Sequence, residues 1–306
     1  YATSFRSRRW NCNVTVTNNS NVANLSGKIV FNKPEYMSGK EYTFTDMEPL
    51  NTKKYLISVP EDKCGTGYQF AGKIVLDNGE EYSFSKDIYF ANFLKIDRQP
   101  IIDGVLSPGE WNYDAPFKIM YKEQVQRIDD WGGKNDCGGK VYCQWDNKYF
   151  YLAAEIQDDI LGDNDEQQRI WACDSIQFAF TEEPVPMGSK RTEYGVGLIN
   201  GVPKFERYSF LKVDTDIIAN TDKYDDDIVD LEIKRDEDKK ITFYEARIPW
   251  TEIYGDNFIP GNHDEIFFSM IINDNDGHGR RGWLEFCPGI GAVKNTADFR
   301  SIPVIK

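Results

Sequence analysis

The sequence is poor in the groups that carry most protein chemistry. It has two histidines, His263 and His278, and neither sits in a metal or nucleophile motif. Its six cysteines, at 12, 64, 137, 143, 173 and 287, include no CxxC pair, which argues against a thiolate zinc site. No nucleophile-elbow sequence of the Gly-x-Ser-x-Gly kind is present, so Ser-His-Asp hydrolysis has no anchor. No run of eighteen uncharged apolar residues occurs, and nothing reads as a bilayer-spanning helix. Cations are short as well: 36 Lys and Arg face 50 Asp and Glu, a net charge of -14. Such a balance opposes phosphate backbones, anionic membranes and acidic polymers, because nucleic-acid affinity rests on cationic side chains releasing counterions. With 50 acidic residues, carboxylate pairs such as Asp158-Asp159 or the run Asp225-Asp226-Asp227 read as solvated loops. A glycosidase needs two carboxyls at a set separation across a cleft, and no such constellation stands out. The chain is expected to be non-catalytic.

What is abundant is aromatic: 19 Phe, 17 Tyr and 7 Trp in 306 residues. Aromatics favour strands and flat binding surfaces. The length calls for two domains. Residues 1–94 read as short strands, with Asn13 to Thr17 and Gly27 to Phe31 apolar and β-branched, and Lys73 to Leu76 turning at Asp77-Asn78-Gly79 into Glu81 to Phe84. The Asn-Gly pair is a strong hairpin signal. This part reads as a small immunoglobulin-like domain in a spacer role. Residues 95–306 read as a second, larger all-β sandwich or jelly roll. Hairpins are expected around Asp146-Asn147 and Asn200-Gly201, and the stretches Ile241 to Ile248 and Glu265 to Ile272 read as further strands. Ser175 to Phe180 alternates strictly, which puts Ile176, Phe178 and Phe180 on the core face and Ser175, Gln177 and Ala179 on the other. The even cysteine count is compatible with disulfides in an oxidising compartment, and equally with buried free thiols. Cys137 and Cys143, around Gly138-Gly139, are the local pairing candidates.

Several segments of the second part, in order, carry a resemblance. They are Ile102-Asp103-Gly104 with Glu110-Trp111; Trp145-Asp146 with Tyr149-Phe150-Tyr151-Leu152 and Asp158; and Trp171-Ala172-Cys173-Asp174-Ser175. Glu245-Ala246-Arg247-Ile248-Pro249-Trp250 follows, then Asn273-Asp274 with Arg280-Arg281 and Trp283, and a closing Lys294 to Phe299. Together they resemble the family 9 carbohydrate-binding modules, relatives of the DOMON-type sandwiches that bind haem or sugar. Characterised members of that family clamp a terminal sugar between two tryptophans while polar side chains hold its hydroxyls. The resemblance makes Trp171 the first clamp residue, with Gln177, Asn273 and Arg281 as polar contacts. Phe286 to Phe299 holds no second tryptophan, and Gly195 and Ile271 stand where relatives carry polar contacts. Trp131 and Tyr194 are the candidate substitutes.

The resemblance also implies structural calcium, for which oxygen-rich loops suit a hard cation. Asp158, Asp159, Asp163 and Asp165, in the loop that runs to Glu166, are the candidate ligands. It further implies a secreted fragment of a larger polysaccharide-degrading enzyme, such as a xylanase or other glycoside hydrolase, that binds a neutral plant polysaccharide such as xylan or glucan, or its oligosaccharides. An opening at Tyr1 rather than Met fits excision from a longer polypeptide. Two other readings are a DOMON-type haem domain, with Met187 or Met270 as axial ligand, and a structural spacer of a surface protein.

Overall fold

The computed structural model describes residues 10–59, 67–89, 91–165, 169–186, 190–211 and 228–306. Cys64, Glu166, Met187 and the Asp225-Asp226-Asp227 run lie outside the described residues, as does the side chain of Cys12. Two compact units divide the chain between Phe90 and Ala91.

The first unit has strands β1 (Trp10–Thr17), β2 (Leu25–Lys33), β3 (Glu41–Met47), β4 (Thr52–Val59), β5 (Gly67–Leu76) and β6 (Glu81–Tyr89). β1 pairs with β4, while the other four form a sheet in the order β3-β2-β5-β6. Alternation buries one face of each sheet: Val16 and Ile57 from the pair share a core with Phe31, Phe44 and Phe70 from the larger sheet. The hairpin expected at Asp77 to Gly79 joins β5 to β6, with Gly79 at φ 90°.

The second unit contains β7 (Phe93–Lys95), β8 (Phe117–Ile119), β9 (Val125–Gln126), β10 (Cys137–Trp145), β11 (Tyr149–Asp158), β12 (Ser175–Thr181) and β13 (Thr192–Ile199). It continues with β14 (Val202–Ser209), β15 (Asp230–Asp236), β16 (Ile241–Pro249), β17 (Glu265–Asp274), β18 (Gly282–Glu285) and β19 (Arg300–Ile305). They form one hydrogen-bonded path, β14-β13-β12-β17-β19-β7-β10-β11-β16-β15, which folds over on itself as a sandwich, with β18 beside β17, β9 beside β18 and β8 beside β10. Phe150 of β11 meets Phe180 of β12 across the interior at 5.1 Å, and both belong to one core with Trp145, Phe178, Tyr244 and Phe268. The expected boundary at residues 94 and 95 falls inside β7, which pairs with β10 and β19 and so belongs to the second unit.

The segments that carried the resemblance do structural work. Glu245 is fully buried, and its carboxylate accepts from the backbone N–H groups of Asp103 and Gly104, at 2.9 and 2.7 Å, and from Trp111 Nε1 at 2.9 Å. Asp103-Gly104, Trp111 and Glu245 are therefore one device that fixes the entry loop to β16. Gly104 sits at φ 75°, where a side chain is strained. Trp145 Nε1 donates to the carbonyls of Phe93 and Ile305 and pins the unit's first and last strands. Glu245→Gln keeps the shape but loses the charge and sets its amide NH2 either against Trp111 Nε1 or against the N–H groups of Asp103 and Gly104. Destabilisation by about 1 to 2 kcal/mol is expected in denaturant unfolding, and an unchanged midpoint would refute the account.

The cysteine expectation needs correction. Gly138 and Gly139 lie inside β10 rather than in a turn, so Cys137 and Cys143 point the same way, six residues apart on one extended strand. At about 3.3 Å per residue their separation is far beyond disulfide reach. Cys137, Cys143, Cys173 and Cys287 are all buried free thiols.

Candidate functional site

The outward face of the sheet β14-β13-β12-β17-β18 collects the polar residues singled out above. Antiparallel partners project to the same side, so the register defines two rows. One row runs Gly197, Ser175, Asn273, Trp283, and the other Glu206, Gly195, Gln177, Ile271, Glu285. The expected alternation of β12 holds: Ile176, Phe178 and Phe180 enter the core, and Gln177 faces outward. Gln177 and Asn273 are nevertheless buried, because the segment after β18 folds over the face and packs Ile290 and Phe299 against Trp283, Ile271 and Ala179. Asn273 Nδ2 donates to Ser175 Oγ at 2.8 Å and to Gln177 Oε1 at 3.0 Å, whereas Asn273 Oδ1 is buried without a partner. Gln177 Nε2 donates to Glu193, whose carboxylate also holds Arg191 and Lys294.

Trp171 stands at the edge of this network. It projects from the short turn Ile170–Ala172, in which Ile170 and Ala172 are buried while the indole is 38% exposed. The Arg169 guanidinium lies 5.0 Å from its ring centroid. Tyr208, which no sequence signal marked, completes the neighbourhood. A register shift in the β13/β14 pairing occurs beside it, and its hydroxyl passes over Gly195, where an added Cβ would lie 2.2 Å away. It approaches the Trp171 backbone and Glu206 without full hydrogen-bond geometry to either, and burial pushes its pKa well up. The missing side chain at Gly195 is thus the space that Tyr208 fills.

The other candidates go elsewhere. Tyr194 alternates with Val196 and Leu198 into the core, and its hydroxyl donates to the Glu252 carbonyl, so it cannot face a ligand. Trp131 is half-buried, with Nε1 donating to the Cys137 carbonyl at 2.9 Å. Arg281 is enclosed by carboxylates, 2.7 Å from Asp130, 3.1 Å from Asp136, 3.2 Å from Asp274 and 2.5 Å from Asp276. It neutralises an acidic cluster rather than a sugar face. Met270 is in the core, His263 stacks on Phe258 at 4.6 Å, and His278 occupies an exposed turn.

The acidic cluster is the candidate metal centre. Ligand atoms of Cys137, Asp158 and Asp274 lie within 4.8 Å of one another, as do those of Asp136, Asp274 and Asp276. Asp158 Oδ2, both carboxylate oxygens of Asp274 and Asp276 Oδ1 are buried and accept no hydrogen bond. Burial, reinforced by the neighbouring carboxylates, pushes Asp158 up to about 8 and Asp274 to about 7. The pocket also holds the Cys137 thiol and the Arg281 guanidinium, 3.2 Å from Asp274 Oδ2, and its remaining carboxylate oxygens without a partner, on Asp158, Asp274 and Asp276, would suit a hard divalent cation. Of the four expected ligands, Asp158 lies in this cluster. Asp159 is exposed, Asp163 Oδ2 accepts from the Gly201 N–H, and Asp165 clamps Arg169 at 2.7 Å. The sequence missed Asp274, Asp276 and Asp136 because they come from distant strands and loops.

The family profile described as carbohydrate family 9 binding domain-like matches residues 102–287. Two similar solved structures are family 9 carbohydrate-binding modules from Caldicellulosiruptor kristjanssonii. One, in complex with glucose, is 19% identical with a TM-score of 0.47, covering 71% of this chain and 94% of its own. The other, in complex with cellotriose, is 18% identical with a TM-score of 0.48, covering 70% and 93%. No curated protein matches the chain. With the profile spanning more than half of its residues, the chain belongs to the carbohydrate family 9 binding domain-like family.

Proposed function

We propose that the second unit is a non-catalytic sugar-binding module for a plant polysaccharide or its oligosaccharides. The observation that carries this reading is the exposed Trp171 indole at the margin of the sheet face; Gln177, Asn273 and Glu193, buried under the segment after β18, brace the strands beneath it rather than meeting the ligand. Axial C–H groups of a pyranose pack on an aromatic face, and amide and carboxylate groups fix its orientation. One aromatic platform rather than two places the affinity in the micromolar to millimolar range, on the order of 4 to 8 kcal/mol. The module serves a larger secreted polysaccharide-degrading protein, and the first unit, of immunoglobulin-like type, spaces it from its neighbours. Calcium held by Asp158 and Asp274 braces the loops behind the site.

An affinity-gel or glycan-array screen with neutral β-linked polysaccharides tests the reading, with retention by at least one of them expected. Binding to none, together with an unaltered fold, would overturn it. Xylan, glucan and mannan incubated with the chain should release no reducing sugar. Measurable release would refute the non-catalytic assignment.

A further inference from the structure

The sheet face around Trp171, which carries Glu193, Glu206 and Glu285, also gathers cations in a chain of net charge -14. Next to Asn273 in the register stands Trp283, whose indole carries a guanidinium at 4.4 Å, that of Arg280, and a second at 5.1 Å, that of Arg127. Trp283 is itself almost fully buried, and its Nε1 donates to Glu285 at 3.2 Å. Among the described residues neither Arg280 nor Arg127 makes an ion pair with a carboxylate, although 50 acidic residues are available in the chain. Arg280 Nε reaches the Gly282 carbonyl at 3.4 Å, and its Nη2 is buried without a partner. Burial, and then the neighbouring Arg127, push Arg280 down to about 10. Lys294, bound to Glu193, also feels Arg280, so the cations adjoin the same face.

An uncompensated, part-buried guanidinium is expensive, and in an acidic chain a counter-ion would be easy to supply from within. Two guanidiniums on one indole, with the outer one exposed, instead leave the neutralising anion to come from outside. We propose that Arg127 and Arg280, held by Trp283, form a subsite for the carboxylate of an acidic sugar, so that the preferred glycan is a polysaccharide bearing uronic acid units. This rests on the sugar-binding reading of the adjoining face and narrows it: the neutral units lie toward Trp171 and the acidic unit toward Trp283. Arginine suits this role because its planar fork meets a carboxylate through two parallel hydrogen bonds.

Titration calorimetry of the full chain tests it with four ligands: a neutral β-linked oligosaccharide, the same compound with a glucuronic acid branch, the branched compound after carboxyl reduction, and a sulfate ester of the neutral one. The acidic compound is expected to bind about tenfold more tightly than its carboxyl-reduced twin at low salt. That ratio should shrink as salt screens the exposed Arg127. In Arg127→Gln/Arg280→Gln the ratio should fall to near one. Arg127→Gln alone, at an exposed position, should lower it as well, which keeps the test decisive if loss of Arg280 disturbs the fold. Equal binding of the acidic and reduced compounds by the native chain would overturn the subsite and leave the sugar face standing. Tighter binding of the sulfate ester than of the uronate would overturn the assignment to carboxylate. Failure of all four ligands to bind would overturn both readings.

Discussion

Stripped of calcium by a chelator, the second unit is expected to unfold at a lower temperature, and the loss should grow as pH rises. Asp158 and Asp274 sit at about 8 and 7 in the fold, well above the ordinary carboxylate value they regain on unfolding. Between pH 4 and pH 8 the metal-free folded state therefore holds protons that the unfolded chain releases. Stability depends on the difference in protons bound, so it is fully present below about pH 4 and is lost as pH climbs through the folded values. The cumulative loss is on the order of several kcal/mol. Calcium acts in the opposite sense, since it needs deprotonated ligands and binds more tightly as pH rises. At a hundred times its dissociation constant it adds roughly 2.7 kcal/mol. Melting curves with and without chelator should thus nearly coincide at pH 5 and separate widely at pH 8. Coincidence at pH 8 would show that the cluster holds no ion.

Trp171→Ala is expected to remove most of the sugar affinity, about 2 to 3 kcal/mol or roughly 30- to 150-fold, with the fold retained. Trp171 is 38% exposed and its ring lies 5.0 Å from the Arg169 guanidinium, so truncation costs the fold a cation–π interaction of about 0.5 to 1 kcal/mol. The neighbours Ile170 and Ala172, which anchor the turn, are untouched. Calorimetry on the best ligand, alongside a thermal melt, separates the two quantities. An unchanged affinity would place the platform elsewhere, and an unfolded variant would make Trp171 a packing residue.

The sequence displays local order well and long-range pairing poorly. The strict alternation of Ser175 to Phe180 and the Asn-Gly turns are properties of neighbouring residues, and those elements stand where they were expected. Tyr194 could have been read the same way, because Tyr194, Val196 and Leu198 form an apolar set of period two that points inward. Other features were out of reach. Short polar strands such as β15, Asp230–Asp236, are strands only because β16 offers its edge. The acidic centre joins Asp136, Asp158 and Asp274, and no spacing rule connects residues brought together by sheet closure. Glu245 entered only as the first residue of a strand segment, and the fold makes it the buried acceptor that explains why Asp103-Gly104 and Trp111 accompany it. Tyr208 reaches the site through an irregular pairing of β13 and β14 that composition does not announce.

The seam between β7 and β19 bears on how the module tolerates being pulled. These two strands run parallel, with Val304 opposite Phe93 and Ile305 opposite Leu94, and Trp145 tethers both. Tension entering at Ala91 and leaving at Lys306 tugs parallel neighbours in opposite directions along their own axes. Their hydrogen bonds are then loaded together in shear, and cannot be peeled one after another as in a hairpin opened from its free ends. A module strung between an anchored polymer and a moving partner would resist extension at this seam before the rest of its sheet is strained.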